Sequence, residues 1–267
     1  MKTLKILLGP MLAVLILSAC QQAAEESRAN APKPDTGTDI LLTFVEFERG
    51  IDPYRTRVIV TRDFLRFDDG EGSVDFVLFD RRKRVIYNVN SEDETVLAVH
   101  AKQIDLEPPM KLALEAHALG NLADAPPIDG KTPEHYQFLA NGEICYDTVS
   151  VKGLLPDAVD ALRDFTAVLA SDSKVTFNTI PADLHDPCDM SMSTFAAGRH
   201  FAYGFPIQEW STKGAGRTLI DFRTDYRADP ALFILPKEYA HFTVQEFREG
   251  KVMPDAEATP PPEKSKT

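Results

Sequence analysis

The chain has 267 residues, 43% of them hydrophobic, and 41 Asp and Glu against 29 Lys and Arg, a net charge of −12. That length and apolar content suffice for the buried core of one domain or two small ones. The acidic excess argues against binding nucleic-acid backbones, which needs clustered Lys and Arg, and against binding anionic lipid surfaces by overall charge.

The first residues read MKTLKILLGPMLAVLILSAC. Lys2 and Lys5 precede an apolar run over 6–17 that closes on small residues, the anatomy of a secretory signal. Gly9 and Pro10 interrupt the run, which is shorter than the ~20 residues of a membrane-spanning helix. Leu17-Ser18-Ala19-Cys20 resembles the lipobox of bacterial lipoproteins. The resemblance implies a signal peptide over 1–19, cleavage before Cys20, a diacylglycerol on its thiol and a fatty acid such as palmitate on its new amine. The chain would then be held to a membrane by its N-terminal lipid and face an oxidising compartment. Gln21 stands where Asp resembles an inner-membrane retention signal, so the expected location is the outer membrane, facing the periplasm. Removing 1–19 takes away Lys2 and Lys5 and leaves 27 basic against 41 acidic residues, a net charge of −14. Residues 20–38 are small, polar and proline-bearing, a flexible tether.

A domain over 39–248 follows. Its first half has β-rich runs at 40–48, 56–61, 64–68, 74–80, 84–90 and 95–101, separated by turn-formers such as Asp69-Gly70-Glu71-Gly72 and Asp80-Arg81-Arg82. The short connections predict consecutive antiparallel pairing. Val85, Tyr87 and Val89 give their strand one apolar face, whereas the run over 74–79 is apolar on both and so needs cover on two sides. Strand patterns continue over 111–119, 135–140 and 143–152. Over 156–170 the period changes: Ala158, Leu162, Phe165 and Leu169 share one helical face, with Pro156 in the first turn and Ser171-Asp172-Ser173 as the stop. A second helix is predicted over 186–197, ended by Gly198. Strand patterns return over 205–212, 217–227 and 240–247, with a single helical turn at 229–233. Residues 249–267, with their proline run, read as a disordered tail.

With Cys20 acylated, Cys145 and Cys188 remain. An even pair in an exported protein points to a disulfide, the other reading being two separately buried thiols.

The order of parts resembles the LolA/LolB-like superfamily of periplasmic proteins, most of all its uncharacterised outer-membrane lipoprotein relatives. The features are a lipoprotein signal, a long antiparallel meander, a helical excursion and a closing segment. That segment carries Gly204-Phe205-Pro206-Ile207, then Leu232-Phe233, Pro236 and Tyr239. The resemblance implies an α+β fold, mainly antiparallel: a curved incomplete barrel, or half-barrel, with covering helices. It implies binding of acyl chains in an apolar concavity. The lipoprotein-receiving member carries a protruding apolar loop; here the early connections at 50–55 and 69–73 are short and polar, so lipoprotein insertion is not assigned.

No catalytic signature stands out: there is no Gly-x-Ser-x-Gly elbow, phosphate-binding loop or dinucleotide fingerprint. His185-Asp186-Pro187-Cys188-Asp189 packs potential metal ligands together but lacks a second ligand pair, so it reads as a loop capping a helix. Asp68-Asp69-Gly70-Glu71-Gly72 lacks calcium-loop spacing and reads as an acidic turn. Arg81-Arg82-Lys83-Arg84 is the one basic cluster, a solvated hairpin tip or a contact for lipid headgroups. The expectation is a non-enzymatic envelope lipoprotein without metal or cofactor. It would hold an acyl chain or lipoprotein lipid against Leu162, Phe165, Leu169, Phe76 and Leu78. The alternative is an envelope scaffold without a ligand cavity.

Overall fold

The structure is a computed structural model that describes residues 38–251 apart from 123, 124 and 178. The signal peptide, Cys20, nearly all of the tether and most of the tail lie outside the described residues. Twelve strands form one open, curved sheet in the order β12-β6-β5-β4-β3-β2-β1-β11-β10-β9-β8-β7. The outermost strands do not meet, so the sheet is not closed.

The meander comprises β1 (Asp39–Glu48), β2 (Ile51–Val60), β3 (Phe64–Asp68), β4 (Phe76–Asp80), β5 (Val85–Asn90) and β6 (Thr95–His100), each antiparallel to the next. β2 starts earlier than its apolar pattern. Pro53, expected in a turn, lies inside the strand at the register shift between Glu46 and Glu48, where a missing N–H costs no ladder bond. β7 (Leu114–Asn121), β8 (Pro133–Ala140), β9 (Glu143–Val151), β10 (Phe205–Ser211) and β11 (Gly216–Tyr226) complete the antiparallel part, and β11 closes onto β1.

Alternation sorts the meander into two faces. Leu42, Phe44, Val58, Val60, Leu65, Phe79 and Ile86 point one way, into a core shared with helix α1 (Pro156–Phe177) through Ala158, Ala161, Leu162 and Val168. Leu41, Ile59, Arg66 and Leu78 are cross-strand neighbours on the other face and are buried too. Their cover is the 3-10 turn Pro230–Phe233: Phe233 stacks on Phe64 at 5.2 Å, and Arg66 Nη1 donates to Leu232 O at 2.6 Å. Both faces of β4 are therefore covered, one by helix and one by the closing chain. Val74 lies outside the strand and is exposed. The closing chain then adds β12 (Ala240–Thr243) parallel to β6.

Further element boundaries differ from the sequence pattern. α1 runs past Ser171-Asp172-Ser173 to Phe177. The Ser171 and Ser173 hydroxyls donate back to Val168 O and Leu169 O, and Asp172 pairs with Lys102 and Arg248, so these polar groups decorate the helix instead of ending it. The expected strand over 240–247 breaks at Thr243. Thr243 and Glu246 form a reciprocal capping box that starts α3 (Val244–Arg248). The expected helix over 186–197 is α2 (Pro187–Met190) followed by a wider π turn, Ser191–Phe195. Gly198, at φ 72, ends that excursion and opens the 3-10 turn Arg199–Tyr203.

Candidate functional site

The five expected ligand contacts do not converge. Leu162 is core, and Phe165 packs on Phe67 and Phe79 at 4.9 and 5.9 Å between ring centres. Phe76 and Leu78 lie on the opposite face of β4 from Phe79. The Arg66 guanidinium covers the Phe76 ring at 3.7 Å, and Leu78 is 1% exposed. Leu169 is 40% exposed on the solvent side of α1. The face of the sheet beneath α1 is packed with side chains, because the helix brings small Ala158 and Ala161 close to the strands and Phe165 fills the space beside them.

A different concavity is open. A cavity of about 300 Å³ lies between the end of the β1, β10 and β11 strands and the chain over 191–203. Phe47, Tyr146, Met192 and Trp210 supply its apolar walls; Glu46, Glu48, His200, Glu209 and Arg217 supply its charge. Glu209 and Arg217 are direct cross-strand partners in the β10–β11 hairpin, and Arg217 Nε donates to Glu209 Oε2 at 2.5 Å. The Arg217 guanidinium also sits 4.9 Å from the Phe44 ring centre. His200 Nε2 lies 3.0 Å from Glu209 Oε1, a charge contact outside hydrogen-bonding geometry. Burial pushes the Glu209 carboxyl up, but the Arg217 and His200 charges outweigh it and hold it at about 2. Gly216 makes room for this wall: a Cβ there would stand 2.3 Å from Glu209 O and 2.5 Å from the Phe47 ring.

Tyr146 forms the inner wall. It stacks on Phe138 at 4.6 Å, and burial raises its hydroxyl to about 12, so it stays neutral. Arg199 caps this pair, its guanidinium 5.2 Å from the Phe138 ring centre, and donates to Leu139 O and Glu115 O.

The covering chain is fastened. Cys145 of β9 is joined to Cys188 of α2, with Cα atoms 5.1 Å apart. Lys213, in the β10–β11 turn, pairs with Asp189 and Asp186. Asp186 itself caps α2, accepting from Asp189 N at 2.8 Å, and His185 Nε2 lies 3.1 Å from Ile180 O. The residues of the 185–189 cluster thus serve a cap, an ion pair and a disulfide.

The basic cluster also has internal partners. Arg81 donates to Thr61 O, Arg82 pairs with Asp63, Lys83 with Asp80 and Arg84 with Asp164. Asp68, in the acidic turn, is buried between Arg57 and Arg66 at 2.6 Å from each.

Chemically the cavity combines apolar walls with an ionised carboxylate–guanidinium pair. A general acid or base works best with a pKa near the working pH, and Glu209 is held far below that range. Ser211 Oγ accepts from Ala215 N at 3.3 Å in the hairpin turn. Among the described residues no group of three His, Cys, Asp or Glu side chains could hold a metal ion. One signal for this wall was present in the sequence: Glu209 and Arg217 are equally spaced about Lys213 in the Lys213-Gly214 turn. Nothing local links either to His200 or Met192.

No family model matches the chain, and no curated protein matches it. Solved structures do. An uncharacterised conserved protein from Thermus thermophilus aligns with a TM-score of 0.40 and 11% identity, over 84% of this chain and 99% of that one. A structure of PNGF-II aligns with a TM-score of 0.37 and 9% identity, over 79% of this chain and 32% of that one. MucB aligns with a TM-score of 0.34 and 11% identity, over 82% of this chain and 65% of that one.

Proposed function

We propose that this chain is a non-catalytic, lipid-anchored protein of the bacterial envelope, built on a half-barrel of the LolA/LolB-like type, that holds an apolar ligand. The anchoring part rests on the lipobox-like Leu17-Ser18-Ala19-Cys20. The binding part rests on one observation: an open cavity walled by Phe47, Tyr146, Met192 and Trp210 under a covering segment fastened by the Cys145–Cys188 bond and by Lys213. The cavity is relocated from the face beneath α1, where Leu162 and Phe165 serve as core. At about 300 Å³ it stands at the small end of ligand pockets, which span ~300–1,000 Å³, so it suits the end of one acyl chain and not a whole diacyl lipid.

A scaffold role is the second reading. It is favoured by the filled face beneath α1 and by edge strand β7, where Leu114 and Leu119 are exposed. Native mass spectrometry of protein purified from membranes separates the two. The ligand reading expects one co-purifying lipid per chain, besides the mass of the lipid on Cys20, and its loss in Ala215→Trp, where an exposed side chain at the cavity lining is enlarged. Protein free of co-purifying lipid would hand the case to the scaffold. An unacylated Cys20 would remove the anchor.

A further inference from the structure

The walls of the cavity are apolar, but its charge is one-sided. Glu46 and Glu48 both line it; Glu46 stands opposite Arg217 in the β1–β11 register, but the Arg217 guanidinium is paired with Glu209 instead. Tyr54 OH donates to Glu48 Oε1 at 3.0 Å. That bond, with burial and the Glu46 and Glu48 charges, raises the Tyr54 hydroxyl to about 12, so it remains a neutral donor. Arg217 is engaged by Glu209 at 2.5 Å, and Lys213, the cation of the adjoining turn, by Asp189 and Asp186. Arg49 lies against Gly214 in that same turn and is not part of the lining. The lining thus carries three carboxylates and one guanidinium, with the His200 imidazole beside Glu209. The chain around it has a net charge of −12, which adds to the repulsion of anions.

Three aromatic residues share the lining with these carboxylates: Phe47, Tyr146 and Trp210. Phe47 lies between Glu46 and Glu48 in sequence, and Trp210 follows Glu209. Aromatic faces and carboxylates attract the same kind of group, an ammonium with weakly hydrated carbon around it. A carboxylate or phosphate head in the same place would meet Glu46 and Glu48, with Arg217 of the lining already engaged by Glu209.

We propose that the cavity takes a cationic amphiphile: an aliphatic chain carrying an amine or quaternary ammonium head, the head at Glu46 and Glu48 and the chain against Met192 and the aromatic walls. This rests on reading the cavity as the ligand site, and it narrows the apolar ligand to one with a cationic head.

A matched series of dodecyl compounds tests it, with the full chain titrated below each compound's micelle concentration: dodecyltrimethylammonium, dodecanol and dodecanoate. The ammonium compound should bind saturably, roughly tenfold or more tighter than dodecanoate. Glu46→Gln with Glu48→Gln should remove that preference while leaving dodecanol binding unchanged, and Ala215→Trp should weaken all three. Both exchanges are at partly or fully exposed positions, and a circular dichroism melt identifies any variant that fails to fold. If the three heads bind alike to wild type, or dodecanoate binds best, the cationic preference is wrong while the apolar site stands. If folded wild type binds none of them, both the preference and the ligand site fall.

Discussion

Glu209 and Asp68 are both carboxylates withdrawn from water between two basic groups, and both are held ionised. Asp68 is raised by burial and lowered further by hydrogen bonds and charge from Arg57 and Arg66, so it lies below the usual carboxylate range. Its role is mechanical: Arg66, fixed by Asp68, reaches the closing chain at Leu232 O and covers Phe76. Removing one partner of such a buried set leaves an unpaired charge, which is costlier than the set is worth. Glu209, at about 2 against an ordinary 4.5, has its folded value depressed, so its contribution is present above about pH 4.5 and is lost as pH falls toward 2. A shift of that size corresponds to ~3 kcal/mol. Urea unfolding followed between about pH 6 and about pH 2.5 should therefore show a falling midpoint, and Glu209→Gln should flatten part of that fall while lowering stability at the upper end. An unchanged acid slope in Glu209→Gln would show that the Arg217 and His200 contacts do not hold the carboxyl ionised.

At the level of elements, the strands of the meander were legible because alternation and turn residues agree. The register of Val77 and Phe79 toward α1, and of Phe76 and Leu78 away from it, follows from period two alone. What sequence could not give was the partner for each face. Phe165 and Leu162 have the pattern of a lid over a cavity and equally that of a helix docked on a core; only the small Ala158 and Ala161 beneath the helix decide for the core. The capping box at Thr243 and Glu246 was readable but was outweighed by the β-rich residues around it. The Cys145–Cys188 bond joins residues 43 apart and encloses all of α1. The chain-entropy model gives such a loop ~4 kcal/mol. Exchanging both cysteines for alanine should lower stability by ~2–4 kcal/mol. Hydrogen exchange should then rise first over 182–203, with β1–β6 unaffected until global unfolding. A uniform rise across the sheet would mean that Lys213 and the core contacts hold the covering chain without the disulfide.

At the level of the whole molecule, an open sheet leaves two free edges and two faces to cover, and the chain uses its second half to do so. α1 fills one face of the meander, the closing 3-10 turn lies on the other, and the disulfide-fastened excursion covers the β9–β10 end. Among the described residues no helix is long and apolar enough to cross a membrane. The cavity lies where the excursion meets the hairpin, built from residues distant in sequence: Phe47, Tyr146, Met192 and Trp210. That dispersal explains why no local motif announced it. Photo-crosslinking of the full chain with a long-chain amine bearing a terminal diazirine, mapped by peptide mass spectrometry, locates the ligand directly. Adducts should fall on Phe47, Met192 or Trp210 and disappear in Ala215→Trp. Adducts on 158–169 of α1 instead, or labelling that Ala215→Trp leaves unchanged, would contradict the cavity as the binding site.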